Sequence, residues 1–212
     1  MSEYNLQVDA AKYLNENYLG AARFLGYHEQ LMSVFKLKDV KTIAEIGPGN
    51  GVTTALLRHF GYEVQTIDFD YRLSPDIECS ILQLQERVHQ TFDVVLCFEV
   101  LEHLEFEDFE AALQNLNAIT NQYLILSLPY VGYTIKFLAY LSRLGERKIE
   151  FIKRIPPFWK THVFNGEHYW EIGKKGYSRR KIREVLSRHF QIHKEWLFTY
   201  NHSQLFYQCQ KK

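Results

Sequence analysis

At 212 residues, the chain is long enough for a single domain with a core of its own. Its 25 basic and 25 acidic side chains balance, which argues against wholesale nucleic-acid binding. No apolar run approaches the roughly 20 residues of a membrane-spanning helix. The polar, acidic N-terminus does not resemble a secretory signal, and the three cysteines are too widely spaced for a disulfide framework or a zinc site, so we expect a cytoplasmic protein.

Helical and strand patterns alternate along the first two thirds of the chain. Residues 9–35 carry apolar side chains at helical spacing. The strands that follow are expected at about 41–46, 63–68, 92–98 and 122–128, with a weak strand from Ile77 to Leu82, and the helices at about 52–60 and 106–119. Such an alternation predicts a doubly wound α/β fold with a parallel sheet.

The pattern changes after residue 130. Residues Ile135 to Leu144 are predicted to form a helix that leads into an irregular segment ending near residue 176. Connections of this length in a compact domain tend to be functional. Ser178 is predicted to cap a further helix, and Phe190–Phe198 and Gln204–Gln210 are predicted to form two closing strands.

The most specific motif is Glu45-Ile-Gly-Pro-Gly-Asn-Gly51, between the first strand and the helix at 52–60. Glycine lets a backbone turn with positive φ and lets a ligand approach without a Cβ in the way. A dinucleotide fingerprint would need glycine where Val52 stands, and a Walker loop would need Gly-Lys-Ser/Thr, which is absent. The motif therefore indicates a nucleotide-type site of another kind.

Two further elements follow at suitable distances. Residues Tyr62–Asp68 are predicted to form a second strand that ends in the carboxylate of Asp68, about twenty residues after the glycines. A carboxylate at this position can accept hydrogen bonds from both ribose hydroxyls of an adenosine. Phe92–Leu104 contains Glu-Val-Leu-Glu-His at the end of a buried strand. Taken in this order, the three elements resemble motifs of the class I S-adenosylmethionine (SAM) dependent methyltransferases.

The resemblance implies a Rossmann-like, doubly wound seven-stranded sheet with an antiparallel C-terminal strand. It implies one methyltransferase domain over 1–212, with a helical cap at about 1–38 and a substrate cap at about 130–176. The cofactor would be SAM, the product S-adenosylhomocysteine (SAH), and the acceptor a small metabolite or an envelope or natural-product precursor. No Asn/Asp-Pro-Pro-Tyr/Phe motif follows the fourth strand, so DNA is not an expected substrate. A non-catalytic SAM-binding scaffold and an NAD-dependent oxidoreductase stay as alternatives.

Twelve residues are implied as the cofactor site: Glu45, Gly47, Pro48, Gly49, Gly51, Asp68, Phe69, Ser80, Ile81, Phe98, Glu99 and Val100. Asp68 would bind the ribose, and Phe69 would pack against the adenine. Ser80 stands where many relatives carry an Asp that binds the adenine amino group, and its hydroxyl can accept the same bond without charge. Glu102 is expected to point to solvent or to bond the backbone.

His103 and His168 are the candidate general bases, needed only if the acceptor starts as a protonated hydroxyl. His162 and His168 with Glu167 match no metal template, so no metal site is predicted. The insertion carries about nine basic against four acidic residues, interleaved with aromatic ones. Three interpretations of it stay open: a solvated face, a site for an anionic substrate, or a peripheral contact with an anionic membrane surface.

Overall fold

The computed structural model describes residues 9–13, 15–141, 147–198, 200 and 203–212. Its strands in chain order are β1 (Thr42–Ile46), β2 (Glu63–Asp68), β3 (Ile77–Glu78), β4 (Phe92–Phe98), β5 (Thr120–Pro129), β6 (Tyr133–Leu141), β7 (Arg147–Ile155), β8 (Phe190–Leu197) and β9 (Gln204–Lys211). Its α-helices are α1 (Ala10–Tyr13), α2 (Ala21–Phe35), α3 (Val52–His59), α4 (Leu84–Arg87), α5 (Phe109–Ile119) and α6 (Arg179–His189).

Seven strands form one mixed sheet in the order β3-β2-β1-β4-β5-β9-β8. The first five are parallel, and β9 runs antiparallel to both of its neighbours, β5 and β8. The predicted seven-stranded sheet with an antiparallel C-terminal strand is confirmed. The strand order reverses between β1 and β4, and ligands of such sheets bind beside that reversal, at the carboxyl ends of the strands.

Both faces of the sheet are buried. Side chains alternate along a strand, so on β4 Val94 and Leu96 pack toward α2 and α3, whereas Val95 and Cys97 pack toward α5 and α6. Each fully buried aliphatic side chain contributes roughly 1.5–3 kcal/mol relative to exposure, and this double-sided core holds the strand ends in register. Cys97 is a buried core residue.

The N-terminal helical segment is divided. The predicted run over 9–35 consists of α1, a 3₁₀ turn at Glu16–Leu19 and α2, with Gly20 at the start of α2. Residues 1–8 of the predicted cap lie outside the described part of the chain. Among the residues that the structure does describe, no helix is both long and apolar enough to cross a membrane.

The start of the insertion is a β-hairpin, and the prediction of a helix from Ile135 to Leu144 is wrong. Residues up to Leu141 belong to β6, which pairs antiparallel with β7; residues 142–146 lie outside the described residues. Tyr133, Ile135 and Phe137 alternate with polar or basic neighbours, and this period of two fits a strand built from aromatic and β-branched residues.

One face of this hairpin is exposed. Large apolar side chains on it, among them Tyr133, Phe137 and Phe151, are more than half exposed. The opposite face contacts the body of the protein, where the hydroxyls of Tyr140 and Tyr200 are 2.6 Å apart.

After the hairpin, the chain returns to the sheet. Ile172 forms a parallel bridge with Tyr130, and the Trp170 side chain is fully buried beside Phe106 and Phe109. The insertion is therefore an exposed hairpin followed by a segment with buried anchors, residues 156–176, which is called the return segment below.

Two local predictions at the edges of the sheet had different outcomes. The weak strand expected from Ile77 to Leu82 covers only Ile77–Glu78, because the Ser80 hydroxyl accepts the backbone N–H of Leu82 (3.3 Å) and begins a 3₁₀ turn. Ser178 caps α6 as predicted, by accepting the N–H of Lys181 at 3.1 Å.

Candidate functional site

The glycine loop joins β1 to α3 in a conformation that suits glycine. Gly47, Gly49 and Gly51 have φ values of 67°, 55° and 71°, in the left-handed region. A Cβ on Gly47 would lie 2.5 Å from Cγ2 of Val100, closer than real contacts allow. The loop is closed by the N–H of Gly51, which donates to the carbonyl oxygen of Pro48 (3.0 Å). The loop therefore rests directly against the chain that leaves β4.

Helix α1 lies over this loop. The ring of Tyr13 is 3.4 Å from the position of a Cβ on Gly49, and Lys12 forms an ion pair with Glu167 (Nζ to Oε1, 2.6 Å). One short helix thus connects the glycine loop with the return segment of the insertion. Sequence patterns missed Lys12 and Tyr13, because their partners are distant along the chain.

Glu45 lies beneath the loop, inside the core. Its carboxyl group is buried and accepts a hydrogen bond from the hydroxyl of Thr54 in α3. Burial raises the pKa of Glu45 to about 7, while the Thr54 bond and Arg58 oppose the shift. The carboxyl group therefore ties β1 to α3 and holds the loop between them.

Asp68 ends β2 beside the loop. Its Oδ1 accepts the backbone N–H of Asp70 at 2.8 Å. Burial raises the pKa of Asp68 to about 6, and the bond from Asp70 opposes that rise. The ring of Phe69 is 41% exposed at the same edge. Asp70, by contrast, is committed to Arg72, with Oδ2 and Nη2 2.7 Å apart. Because 41% of Phe69 is exposed, its ring is accessible to a flat ligand bound next to Asp68.

Ser80 and Ile81 lie at the adjacent strand end. The N–H of Cys79 donates to the carbonyl oxygen of Asp68 (2.9 Å), which places the start of this turn beside the end of β2. Ser80 is buried and caps its own turn, and the side chain of Ile81 packs into the core. A ligand contact through Ile81 would therefore use its backbone groups.

The end of β4 supplies the next predicted residues. Phe98 packs in the core against Phe206, and Val100 packs against the glycine loop. The cofactor contacts predicted for these two residues would therefore use their backbone groups. Glu99 has a φ of 54°, an uncommon conformation for a residue with a Cβ and one that recurs at functional sites. Its Oε1 accepts the hydroxyl of Ser127 (2.8 Å), and burial raises its pKa to about 7.

Of the two alternatives predicted for Glu102, that it points to solvent or bonds the backbone, the first is wrong. The residue is 0% exposed, because the return segment covers it and donates the N–H of Tyr169 to its carbonyl oxygen (2.9 Å). Neither of its carboxylate oxygens has a hydrogen-bond partner among the described residues. Burial first, and then the nearby Glu99 and Glu171, raise the pKa of Glu102 well above its ordinary value.

The two predicted histidines meet at this point. Their rings are nearly perpendicular, with centroids 5.2 Å apart. Nδ1 of His103 contacts the carbonyl oxygen of Glu167 at 2.9 Å and, since a carbonyl only accepts, carries the proton. Nδ1 of His168 is 3.1 Å from Oε1 of Glu171. Burial, followed by the proximity of His168, lowers the pKa of His103, so that its imidazole is neutral at neutral pH.

Comparison with protein families finds a match over most of the chain. A family model described as a methyltransferase domain matches residues 20–186. A search of curated proteins finds no match.

Several solved structures share the fold. N-methyltransferase NodS from Bradyrhizobium japonicum, in complex with SAH, has a TM-score of 0.62 and 14% identity, and the alignment covers 95% of each chain. 1,6-Didemethyltoxoflavin-N1-methyltransferase from Burkholderia thailandensis has a TM-score of 0.61 and 14% identity over 95% of this chain and 84% of the other. Magnesium protoporphyrin IX methyltransferase from Synechocystis has a TM-score of 0.60 and 14% identity over 90% and 84%.

Proposed function

The chain belongs to the methyltransferase-domain family and is a class I SAM-dependent methyltransferase. On that premise, we propose that it methylates a small-molecule acceptor at the carboxyl ends of strands β1, β2 and β4. The observation that carries the proposal is the glycine cradle. Three glycines with positive φ form this loop, and a Cβ on Gly47 would collide with Val100, just after β4. Asp68 stands at the neighbouring strand end.

The residues at this edge fit the cofactor. Gly47, Gly49 and Gly51 present backbone where the methionyl and ribose groups would lie, and Asp68 would accept bonds from the ribose hydroxyls. The accessible ring of Phe69 would cover the adenine. SAM, when bound, supplies a methyl group on a sulfonium, which is already strongly electrophilic.

The protein's own contribution is therefore mainly to position the acceptor and to exclude water. The return segment lies over the end of β4, through the N–H of Tyr169 on Glu102 and the indole N–H of Trp170 on the carbonyl oxygen of Leu104 (3.1 Å). His168 in the return segment faces His103 at the end of β4, with ring centroids 5.2 Å apart. With Nδ1 protonated, His103 carries its lone pair on Nε2, the atom that would take a proton from a hydroxyl acceptor.

A small molecule is the proposed acceptor class because of the structure of the insertion. The return segment leaves two histidines and the Phe164–Tyr169 ring pair, with centroids 4.6 Å apart, at the edge where methyl transfer would occur. The solved neighbours named above include enzymes whose names give small-molecule substrates, such as didemethyltoxoflavin and magnesium protoporphyrin IX. A metabolite, an envelope precursor or a natural-product precursor fits this class.

Calorimetry tests the cofactor part of the proposal. Wild type should bind SAM and SAH but not NAD. Asp68→Ala should weaken SAH binding by about ten- to hundred-fold, the typical ~1.5–3 kcal/mol of a lost charged hydrogen-bond partner. Glu63→Ala is the matched control, because Glu63 is an exposed carboxylate at the opposite end of the same strand. Equal SAH affinity in Asp68→Ala and wild type would show that the site is placed wrongly.

A screen of metabolite extracts tests the acceptor part. Wild type incubated with SAM should form SAH together with a product 14 mass units heavier than its acceptor, the mass of one added CH₂ by the arithmetic of methyl transfer. SAH binding without turnover on any extract would instead favour the non-catalytic scaffold.

A further inference from the structure

Three potential metal ligands converge where the return segment meets the end of β4. Glu102, His103 and His168 each offer one ligand atom, and these atoms all lie within 4.8 Å of one another. Oε1 of Glu102 and Nε2 of His168 are 4.0 Å apart. This set differs from His162, His168 and Glu167, whose spacing in the sequence matches no metal-binding template. Its members come from two segments that only the fold brings together.

Among the described residues, the Glu102 carboxyl group has no hydrogen-bond partner that compensates for its burial. It is 0% exposed, and neither oxygen accepts a hydrogen bond from a described residue. An isolated buried carboxylate is costly unless it is paired, protonated or bound to a metal. Glu99 and Glu171 add negative charge near Glu102, which favours a bound cation at this point.

Both histidines are held as metal-bound histidines usually are. A ligating imidazole almost always donates its other ring N–H to a carbonyl or a carboxylate, which fixes the tautomer and the orientation of the ring. Here Nδ1 of His103 contacts the carbonyl oxygen of Glu167, and Nδ1 of His168 contacts the carboxylate of Glu171. These contacts fix Nε2 as the coordinating atom of each ring.

We propose that Glu102, His103 and His168 bind one divalent transition-metal cation. Two imidazoles and one carboxylate suit Zn²⁺, Mn²⁺, Fe²⁺ or Co²⁺. Metal-to-ligand distances of about 2.0–2.2 Å place neighbouring ligand atoms about 3–3.5 Å apart, so movements of roughly 1 Å per atom close the site. The cation neutralises Glu102 and satisfies its carboxylate oxygens.

Three protein ligands leave coordination positions open for water or for an oxygen of another molecule. The cation therefore places a Lewis acid between the return segment and the end of β4, where it can hold an acceptor that carries an oxygen donor. This last step rests on the proposed methyl transfer, whereas cation binding itself does not. In the cation-bound state, His103 and His168 are ligands, and neither of them is a proton acceptor.

The test is a calorimetric titration of the tag-free, full-length protein with MnCl₂, CoCl₂ and ZnCl₂ after dialysis against a chelator. Wild type should bind one equivalent, and Co²⁺ should develop visible absorption bands. Glu102→Gln keeps the shape of the side chain but removes its charge, and it should bind each cation at least about tenfold more weakly. His168→Gln should do the same, and its partly exposed position makes it the variant more tolerant of change. His193→Gln, on β8, is the matched histidine control.

The outcomes separate this inference from the proposed function. Wild type that binds SAH but no cation overturns the cation site and leaves the methyltransferase in place. Wild-type cation affinity in both Glu102→Gln and His168→Gln, each folded by thermal unfolding, also overturns the site. Cation binding lost in both variants, with SAH affinity unchanged, supports it. A cation-binding protein that fails to bind SAH contradicts the proposed function but not this site.

Discussion

The two sides of the site are built in different ways. The cofactor side consists of the glycine loop and Asp68, at the ends of adjacent parallel strands, and its shape comes from backbone conformation. The acceptor side is the return segment, which reaches the site through contacts between residues distant in sequence, such as the indole N–H of Trp170 with the carbonyl oxygen of Leu104. The first side is fixed by the sheet itself, whereas the second depends on buried anchors, of which Trp170 is the largest.

Removing that anchor should have the largest effect. Trp170 is fully buried among aromatic rings, so Trp170→Ala should lower the free energy of unfolding by about 3–5 kcal/mol. Trp159→Ala is the control, because Trp159 is 59% exposed, and its cost should stay within about 0.5 kcal/mol. Urea unfolding measures both variants. Equal costs would show that the return segment is not held through Trp170.

The buried carboxyl group on the cofactor side predicts a pH dependence. Burial raises the pKa of Glu45 from an ordinary 4.5 to about 7. Between these values the folded state binds more protons than the unfolded state, so the stability contributed by Glu45 is present below the lower pKa and is lost as pH rises through the higher one. Relative to Glu45→Gln, wild type should lose up to about 3 kcal/mol between pH 4.5 and pH 8. Parallel stability curves for the two proteins would reject this assignment.

The glycine cradle can be distorted by one methyl group. Gly47→Ala adds a Cβ that meets Cγ2 of Val100 at 2.5 Å, in a left-handed conformation that costs other residues about 1–2 kcal/mol. SAH affinity should fall by about ten- to hundred-fold. Val100→Ala in the same chain should restore part of it, because it removes the clashing methyl group.

Gly61→Ala is the matched glycine control. Its φ of 89° is also left-handed, but nothing lies within 4 Å of the added Cβ. Calorimetry should therefore find its SAH affinity unchanged. If Gly61→Ala weakened SAH binding as much as Gly47→Ala does, backbone strain alone would explain the loss and the cradle would not.

Excision of the hairpin should give the smallest change on the cofactor side. Among the strands of the described residues, β6 and β7 pair only with each other. Residues 134–154 can therefore be replaced by an Asn-Gly turn that joins the paired Tyr133 and Ile155. SAH affinity should stay within about twofold, while SAH formation with an active extract should fall at least about tenfold. SAH binding that is lost in a folded variant would assign the hairpin to the cofactor side.

The contrast between the two sides also explains what the sequence could predict. The glycine loop, Asp68 and strands β1, β2 and β4 follow from local signals, namely glycine spacing and short apolar runs. The apolar residues after Ile135 fit both a helical and a strand period over this short stretch, and pairing with β7 decides in favour of the strand.

Burial at the acceptor side was beyond the reach of local patterns. Glu102 follows a strand end and would be exposed if the return segment did not cover it. In the same way, the contact between His103 and His168 exists only because Trp170 and Ile172 anchor the return segment to the sheet. Residues far apart in sequence create these environments, so they become visible only in the fold.

The central claim is that the cofactor side of the site binds SAH independently of the acceptor side. An NMR titration of ¹⁵N-labelled protein with SAH tests it most directly. The amide shifts that change most should be those of Gly47, Gly49, Gly51, Asp68 and Glu99. The amides of β6 and β7, and those at the opposite edge of the sheet such as Glu63, should change least. Shifts concentrated in the hairpin or at that opposite edge would contradict the account.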